Sequence, residues 1–182
     1  MMRILMGWAL ASWGIVSVAT AATFTDPKSH LVLNYDDNVW DVVPVKGSDT
    51  ETLLNLQRKI ADKEGDTTYF SRVSIVKDDL TKLKKVSASK LPRLQAYQSH
   101  AVEFLKGQRF DVLSTEVKNT ETVPGGMFEI IANQRDFGLT YQQMGFIQGE
   151  TAYLITATVR TKKFPDYRTE LNQLFQSVKI EK

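Results

Sequence analysis

Apolar and polar positions alternate along the stretch LVLNYD, so that Leu31, Leu33 and Tyr35 fall on one side of an extended chain and Val32, Asn34 and Asp36 on the other. The pattern predicts a strand that stops at the Asp36-Asp37-Asn38 turn, with Asp41–Val45 extended after Trp40. Residues 48–64 admit two readings. Ser48-Asp49-Thr50-Glu51 has capping-box spacing, and Leu53, Leu56 and Ile60 share a helical face. Leu54, Leu56 and Ile60 equally share the face of a strand, and Lys63–Thr67 (KEGDT) reads as a hairpin turn. The hairpin is the preferred reading, followed by a β-branched strand over Tyr69–Lys77.

Helical spacing is clearer further on. Leu91, Leu94, Ala101, Phe104 and Leu105 mark the apolar face of a helix, with Pro92 in its first turn and Gly107 at its end. Phe110–Val117 is expected as a strand, and Pro124-Gly125-Gly126 as a turn. Met127–Arg135, Leu139–Ile147 and Thr151–Arg160 then form three strands whose short links, Asp136-Phe137-Gly138 and Gln148-Gly149-Glu150, make them antiparallel neighbours. Phe128–Ile131 and Ala152–Ile155 are apolar on both sides, as strands are when both sheet faces are covered. From Pro165 onward, Phe164, Tyr167, Leu171, Leu174, Phe175 and Val178 form a second helical stripe. The expected fold class is therefore α+β, an α/β/α sandwich around a central antiparallel sheet.

The first 21 of the 182 residues form a separate region. Arg3 precedes Ile4–Val18, which has no charged residue, and Ala19-Thr20-Ala21 places small residues where a signal peptidase reads. That apolar stretch is shorter than the roughly 20 residues needed to span a bilayer. The reading is a signal peptide over residues 1–21, cleaved after Ala21, and a single domain over residues 22–182. Without Arg3, the 23 Lys and Arg fall by one against 21 Asp and Glu, so the mature chain is close to neutral. It lacks the basic footprint of a nucleic-acid binder. No cysteine is present, which excludes disulfides, thiol nucleophiles and thiolate metal sites. Trp40 is the sole tryptophan outside the leader and is expected to anchor the fold.

The stretches LVLNYDDNVW, YLITATVR and FPDYRTELNQLFQSVKI resemble the PsbP-like superfamily over essentially all of residues 23–180. That group includes the photosystem II extrinsic protein, the Mog-type Ran-binding nuclear import factor and DcrB-type exported bacterial proteins. Asp36 stands where its members carry a proline, and Ser177-Val178 replaces their Ser-Phe. The resemblance implies the sandwich fold and a scaffold or binding role in place of an enzymatic one. No binding residue of those members matches a motif here, so none is carried over.

Motifs for chemistry are sparse. A calcium loop begun at Asp36 would put Trp40 fifth, Asp41 at the sixth position, where glycine is required, and Gly47 at the twelfth, where glutamate is required. Asp36, Asp37 and Asn38 instead suit turn formation. His30 and His100 are the only histidines, and each follows a serine, but sequence neighbours do not face one another on a strand. No nucleophile elbow, zinc-protease helix or phosphate loop occurs. Lys77, Lys82, Lys84, Lys85, Lys90 and Arg93 cluster locally with only Asp78 and Asp79 among them. Of these, Lys82, Lys84, Lys85, Lys90 and Arg93 are the candidate interaction patch, for an anionic surface or an acidic partner; the alternative is a solvated loop.

These observations lead to an expectation of a periplasmic or secreted accessory module that works through another protein, without catalysis or a cofactor. Nucleic acid is not an expected partner, and membrane contact is expected only through the leader or weakly through the basic patch. The competing expectations are a carboxylate-based hydrolase, or a secreted protein engaging a host signalling or transport protein by analogy with the Ran-binding relatives.

Overall fold

The computed structural model describes residues 21–45 and 51–181. Ser48–Thr50 and all of the expected leader except Ala21 lie outside the described residues. In chain order the elements are β1 (Ala21–Asp26), β2 (Leu31–Asp36), β3 (Trp40–Val42), β4 (Thr52–Arg58), β5 (Asp62–Glu64), β6 (Thr67–Tyr69), β7 (Arg72–Asp79), α1 (Lys84–Ser87), α2 (Arg93–Gly107), β8 (Asp111–Lys118), β9 (Met127–Gln134), β10 (Leu139–Gln148), β11 (Thr151–Arg160), α3 (Phe164–Gln176) and β12 (Lys179–Ile180). Seven strands form the main sheet in the order β3-β4-β7-β11-β10-β9-β8, and every pairing is antiparallel. A three-stranded sheet, β1-β2-β12, and the β5-β6 hairpin complete the fold.

The double-sided apolar pattern of β11 puts it at the middle of the sheet. Tyr153, Ile155, Ala157 and Val159 project to one face, where Leu171, Leu174 and Phe175 of α3 and Leu31 and Leu33 of β2 meet them in one core. Ala152 and the half-buried Leu154 project to the other face, under Ala96, Tyr97, Ala101 and Leu105 of α2. The expected layering of helix, antiparallel sheet and helix is what forms, with the small sheet sharing the α3 face. Gly145 is needed for this packing, because a Cβ there would collide with the ring of the fully buried Phe128 beside it.

Residues 52–69 settle as the hairpin reading, with β4 as a strand and β5-β6 turning at Gly65 in the left-handed region (φ 57°). Three details differ from the sequence reading. Pro92 caps α2 from outside at φ −50°, ψ 141° instead of standing in its first turn, as its missing N–H and fixed φ allow. Leu91 and Phe104 are exposed, so the apolar face of α2 is narrower than its composition implied. Val178 is fully buried but lies just beyond the end of α3. The strands β1 and β12 and the single turn α1 carry too little pattern of their own to be anticipated.

Trp40 is 3% exposed at the start of β3, inside the α3-side core. Trp40→Ala should lower unfolding stability in urea by about 3–5 kcal/mol, the range for losing a large buried aromatic. Gly145→Ala should cost about 1–3 kcal/mol, as overpacking does. Asp36→Ala should cost about 0.5–1.5 kcal/mol, because it loses only turn hydrogen bonds.

Candidate functional site

The helix α3 crosses one face of the main sheet, and its two flanks are treated differently. On the β4 side it is pinned. Arg58 donates to Glu170 at 3.0 Å, its guanidinium lies 3.9 Å from the centre of the Tyr167 ring, and Tyr167 donates its hydroxyl to Asp62. On the opposite flank the spacing of Arg168, Asn172 and Gln176 places them along one side of the helix, facing β9 and β8 across open space. The result is a groove of about 680 Å³. Met127, Ile131, Met144 and Phe175 supply its apolar lining, while Ser114, Glu116, Lys118 and Glu129 line it from the two strands.

A chain of polar side chains runs through the groove. Glu116 and Glu129 are directly opposed on β8 and β9, an arrangement that repels on its own. Lys118 offsets it by reaching both carboxylates, Glu116 at 2.5 Å and Glu129 at 2.6 Å. The amide of Gln142, which is 1% exposed, donates to Glu129 at 2.7 Å and to Asn172 on α3 at 2.9 Å. Its own carbonyl oxygen is buried without a partner. Burial pushes the Glu129 carboxyl up, but hydrogen bonds from Lys118 and Gln142 outweigh it and hold the group below its ordinary value of 4.5. The hydrogen bonds from Lys118 to Glu116 and Glu129 hold the ammonium above its ordinary value.

That electrostatic pattern bears on chemistry. A carboxylate hydrolase needs one acid kept protonated by a raised pKa beside an ionised partner. Here a shared lysine favours the ionised form of Glu129, and Glu116 lies within its reach as well. Lys118 thus ties the two carboxylates into one ion cluster on the groove wall. Among the described residues, no three His, Cys, Asp or Glu side chains are placed to hold a metal ion.

The residues singled out from sequence lie elsewhere. Asp36 accepts from the backbone N–H of Asn38 at 2.9 Å and from its side-chain amide at 3.0 Å, and Asp41 faces Lys59 at 3.4 Å. Ser29 spends its hydroxyl on Asp26, and His30, in the left-handed region, is exposed. His100 stands beside Tyr97, ring centres 6.5 Å apart. The basic cluster surrounds α1 and the start of α2, on the face away from the groove. Glu103 and Glu150, acids outside the cluster's own stretch, meet it there, pairing with Lys85 at 3.0 Å and Arg93 at 2.7 Å, and Asp79 within the stretch pairs with Lys82 at 3.4 Å. Lys84 and Lys90 are exposed and have no ion-pair partner among the described residues.

No family profile matches the chain, and no curated protein matches it in sequence. Solved structures do. Cyanobacterial PsbP from Synechocystis sp. PCC 6803 aligns over 94% of this chain and 99% of its own, with a TM-score of 0.63 and 12% identity. The chain has a PsbP-like fold. A second solved structure, the protein of unknown function PA94 from Pseudomonas aeruginosa, aligns over 86% of this chain and 94% of its own, with a TM-score of 0.53 and 13% identity. At these identities the likeness concerns fold. Among the described residues of this PsbP-like chain, no helix is long and apolar enough to cross a membrane.

The groove residues were not singled out in the sequence, although two signals point to them. Glu129 interrupts the otherwise apolar run MFEIIA, and Arg168, Asn172 and Gln176 recur every four residues beside the apolar stripe of α3. A carboxyl whose pKa is depressed on folding stabilises the fold above its unfolded pKa, and that contribution is lost as pH falls through the folded value. Wild-type stability should therefore decline as pH drops below 4.5 more steeply than that of Glu129→Gln. At neutral pH the variant should be less stable by about 1–3 kcal/mol, read by urea unfolding at each pH.

Proposed function

We propose that this chain is a small exported, non-catalytic binding or accessory module that engages another polypeptide through the groove beside α3. The observation that carries the reading is the groove itself: an apolar floor with convergent polar groups, held open by a helix fixed on its other flank. Its volume lies within the roughly 300–1,000 Å³ typical of binding clefts. The leader-like start and the Ala19-Thr20-Ala21 site support export. The PsbP-like neighbours support an accessory role, and the ion cluster of Glu116, Lys118 and Glu129 argues against acid–base work at this site. The patch at Lys82, Lys84, Lys85, Lys90 and Arg93 is a weaker contact surface for anionic partners, since carboxylates already meet three of its five cations.

A photo-crosslinking residue at Gln176 tests this in the intact cell that carries the protein. The expected result is a discrete adduct from Gln176, none from a control position at Lys63 on the β5-β6 hairpin, and a recovered chain that begins at Ala22. Equal labelling at both positions would contradict the groove, and a full-length chain held in the inner membrane would contradict export.

A further inference from the structure

The groove is continuous with a second feature, the outer edge of β8. This strand ends the order of the main sheet, and no backbone hydrogen bond joins its outer edge to any other described residue. It is eight residues long and exposed along almost its whole length. An edge of this kind is a template for another strand. The sheet's other edge, β3, is only three residues long. A bulge at Leu113 kinks β8 near its start, leaving Ser114–Lys118 in unbroken register with β9. The cavity reaches that edge. The Thr115 hydroxyl accepts from the side-chain amide of Gln98 of α2 on the opposite face, yet Thr115 also lines the groove, so its backbone is what the groove meets.

The charges of the groove are unequally satisfied. Lys118 is shared by two carboxylates, whereas Arg168 has neither a hydrogen-bond nor an ion-pair partner among the described residues. Its neighbour one turn along, Asn172, is bound to Gln142, whose register partner on β9 is Ile131. Arg168 thus lines the groove from α3, one turn nearer the helix start than Asn172, and the Glu116–Glu129–Lys118 cluster lines it from β8 and β9. A ligand that is acidic throughout would be repelled by that cluster. One that carries a single carboxylate would match Arg168.

We infer that this site takes up an extended segment of a partner protein carrying one acidic residue. The segment's backbone pairs with β8 at Ser114–Lys118, its inward side chains point to the open side of the groove beside Ser114 and Glu116, and its carboxylate is held by Arg168. This is strand addition to an open sheet edge, in which main-chain bonds give affinity and a pocket for alternate side chains gives selectivity. A planar guanidinium suits the carboxylate because it can hold both oxygens at once. The inference rests on the groove being the binding surface.

The probes are fluorescein-labelled octapeptides that alternate valine and threonine and carry one aspartate, one lysine or neither, with the charged position scanned. Fluorescence anisotropy with the mature chain should show the aspartate series binding best, at one position of the scan. Arg168→Glu should weaken that peptide by about tenfold and favour its lysine counterpart, as reversal of one charge-assisted contact does. N-methylation along one edge of the peptide should abolish binding while N-methylation along the other is tolerated, which only strand pairing produces. Equal binding of the three series, indifference to Arg168→Glu, equal effects of the two N-methylation patterns, or no binding at millimolar peptide would each overturn the inference. Displacement of the peptide by octanoate with no dependence on N-methylation would assign the groove to a small amphiphile instead. A Gln176 adduct that persists alongside any of these negative results would refute the acidic segment alone and leave the groove as the binding surface.

Discussion

A sheet of seven strands has two faces to cover, and this chain has two substantial helices with which to cover them. At about 4.8 Å per strand the sheet is about 29 Å across, whereas a helix with its side chains is only about 10 Å wide. One helix per face cannot suffice. On the α2 side, α1 and the chain leading into α2 extend the cover. On the α3 side the small sheet of β1, β2 and β12 extends it, and the pinning of α3 to Arg58 and Asp62 draws the helix toward β4. The uncovered remainder falls at β8 and β9. The groove is thus a consequence of how the core is closed.

That origin explains the composition of the groove. Its floor is the edge of the core, so Met127, Met144 and Phe175 are apolar and buried. Its walls face water, so they carry Arg168, Asn172, Gln176 and the Glu116–Lys118–Glu129 cluster. Gln142 joins wall to floor by bonding both Glu129 and Asn172 from a buried position. Removing any member of that chain strands a buried polar group, which costs more than the bond itself is worth.

Much of the fold was legible because it is local. The β9-β10-β11 meander follows from short turns, α3 from a period of 3.6, and the two-sided burial of β11 from its unbroken apolar run. Trp40, the sole tryptophan of residues 22–182, is buried in the α3-side core together with Leu31 and Leu33. The site was less legible because it depends on pairs far apart in the chain. Arg58 and Glu170 meet over 112 positions, and the basic cluster looked unpaired only because Glu103 and Glu150 approach it from other elements. Alternation places Glu129 on one face of β9 but does not tell that the face borders a groove. Asp36, by contrast, behaves as local chemistry predicts, since it bonds within its own turn.

Hydrogen exchange of the backbone amides, with and without the partner recovered at the groove, tests the central claim most directly. In the isolated protein, amides of β9, β10 and β11 should be strongly protected, while those on the outer edge of β8 exchange quickly. On binding, protection should rise along Ser114–Lys118 and stay unchanged at α1 and α2. Slow exchange along the β8 edge in the free protein, or protection gained on the α2 face instead, would contradict the account.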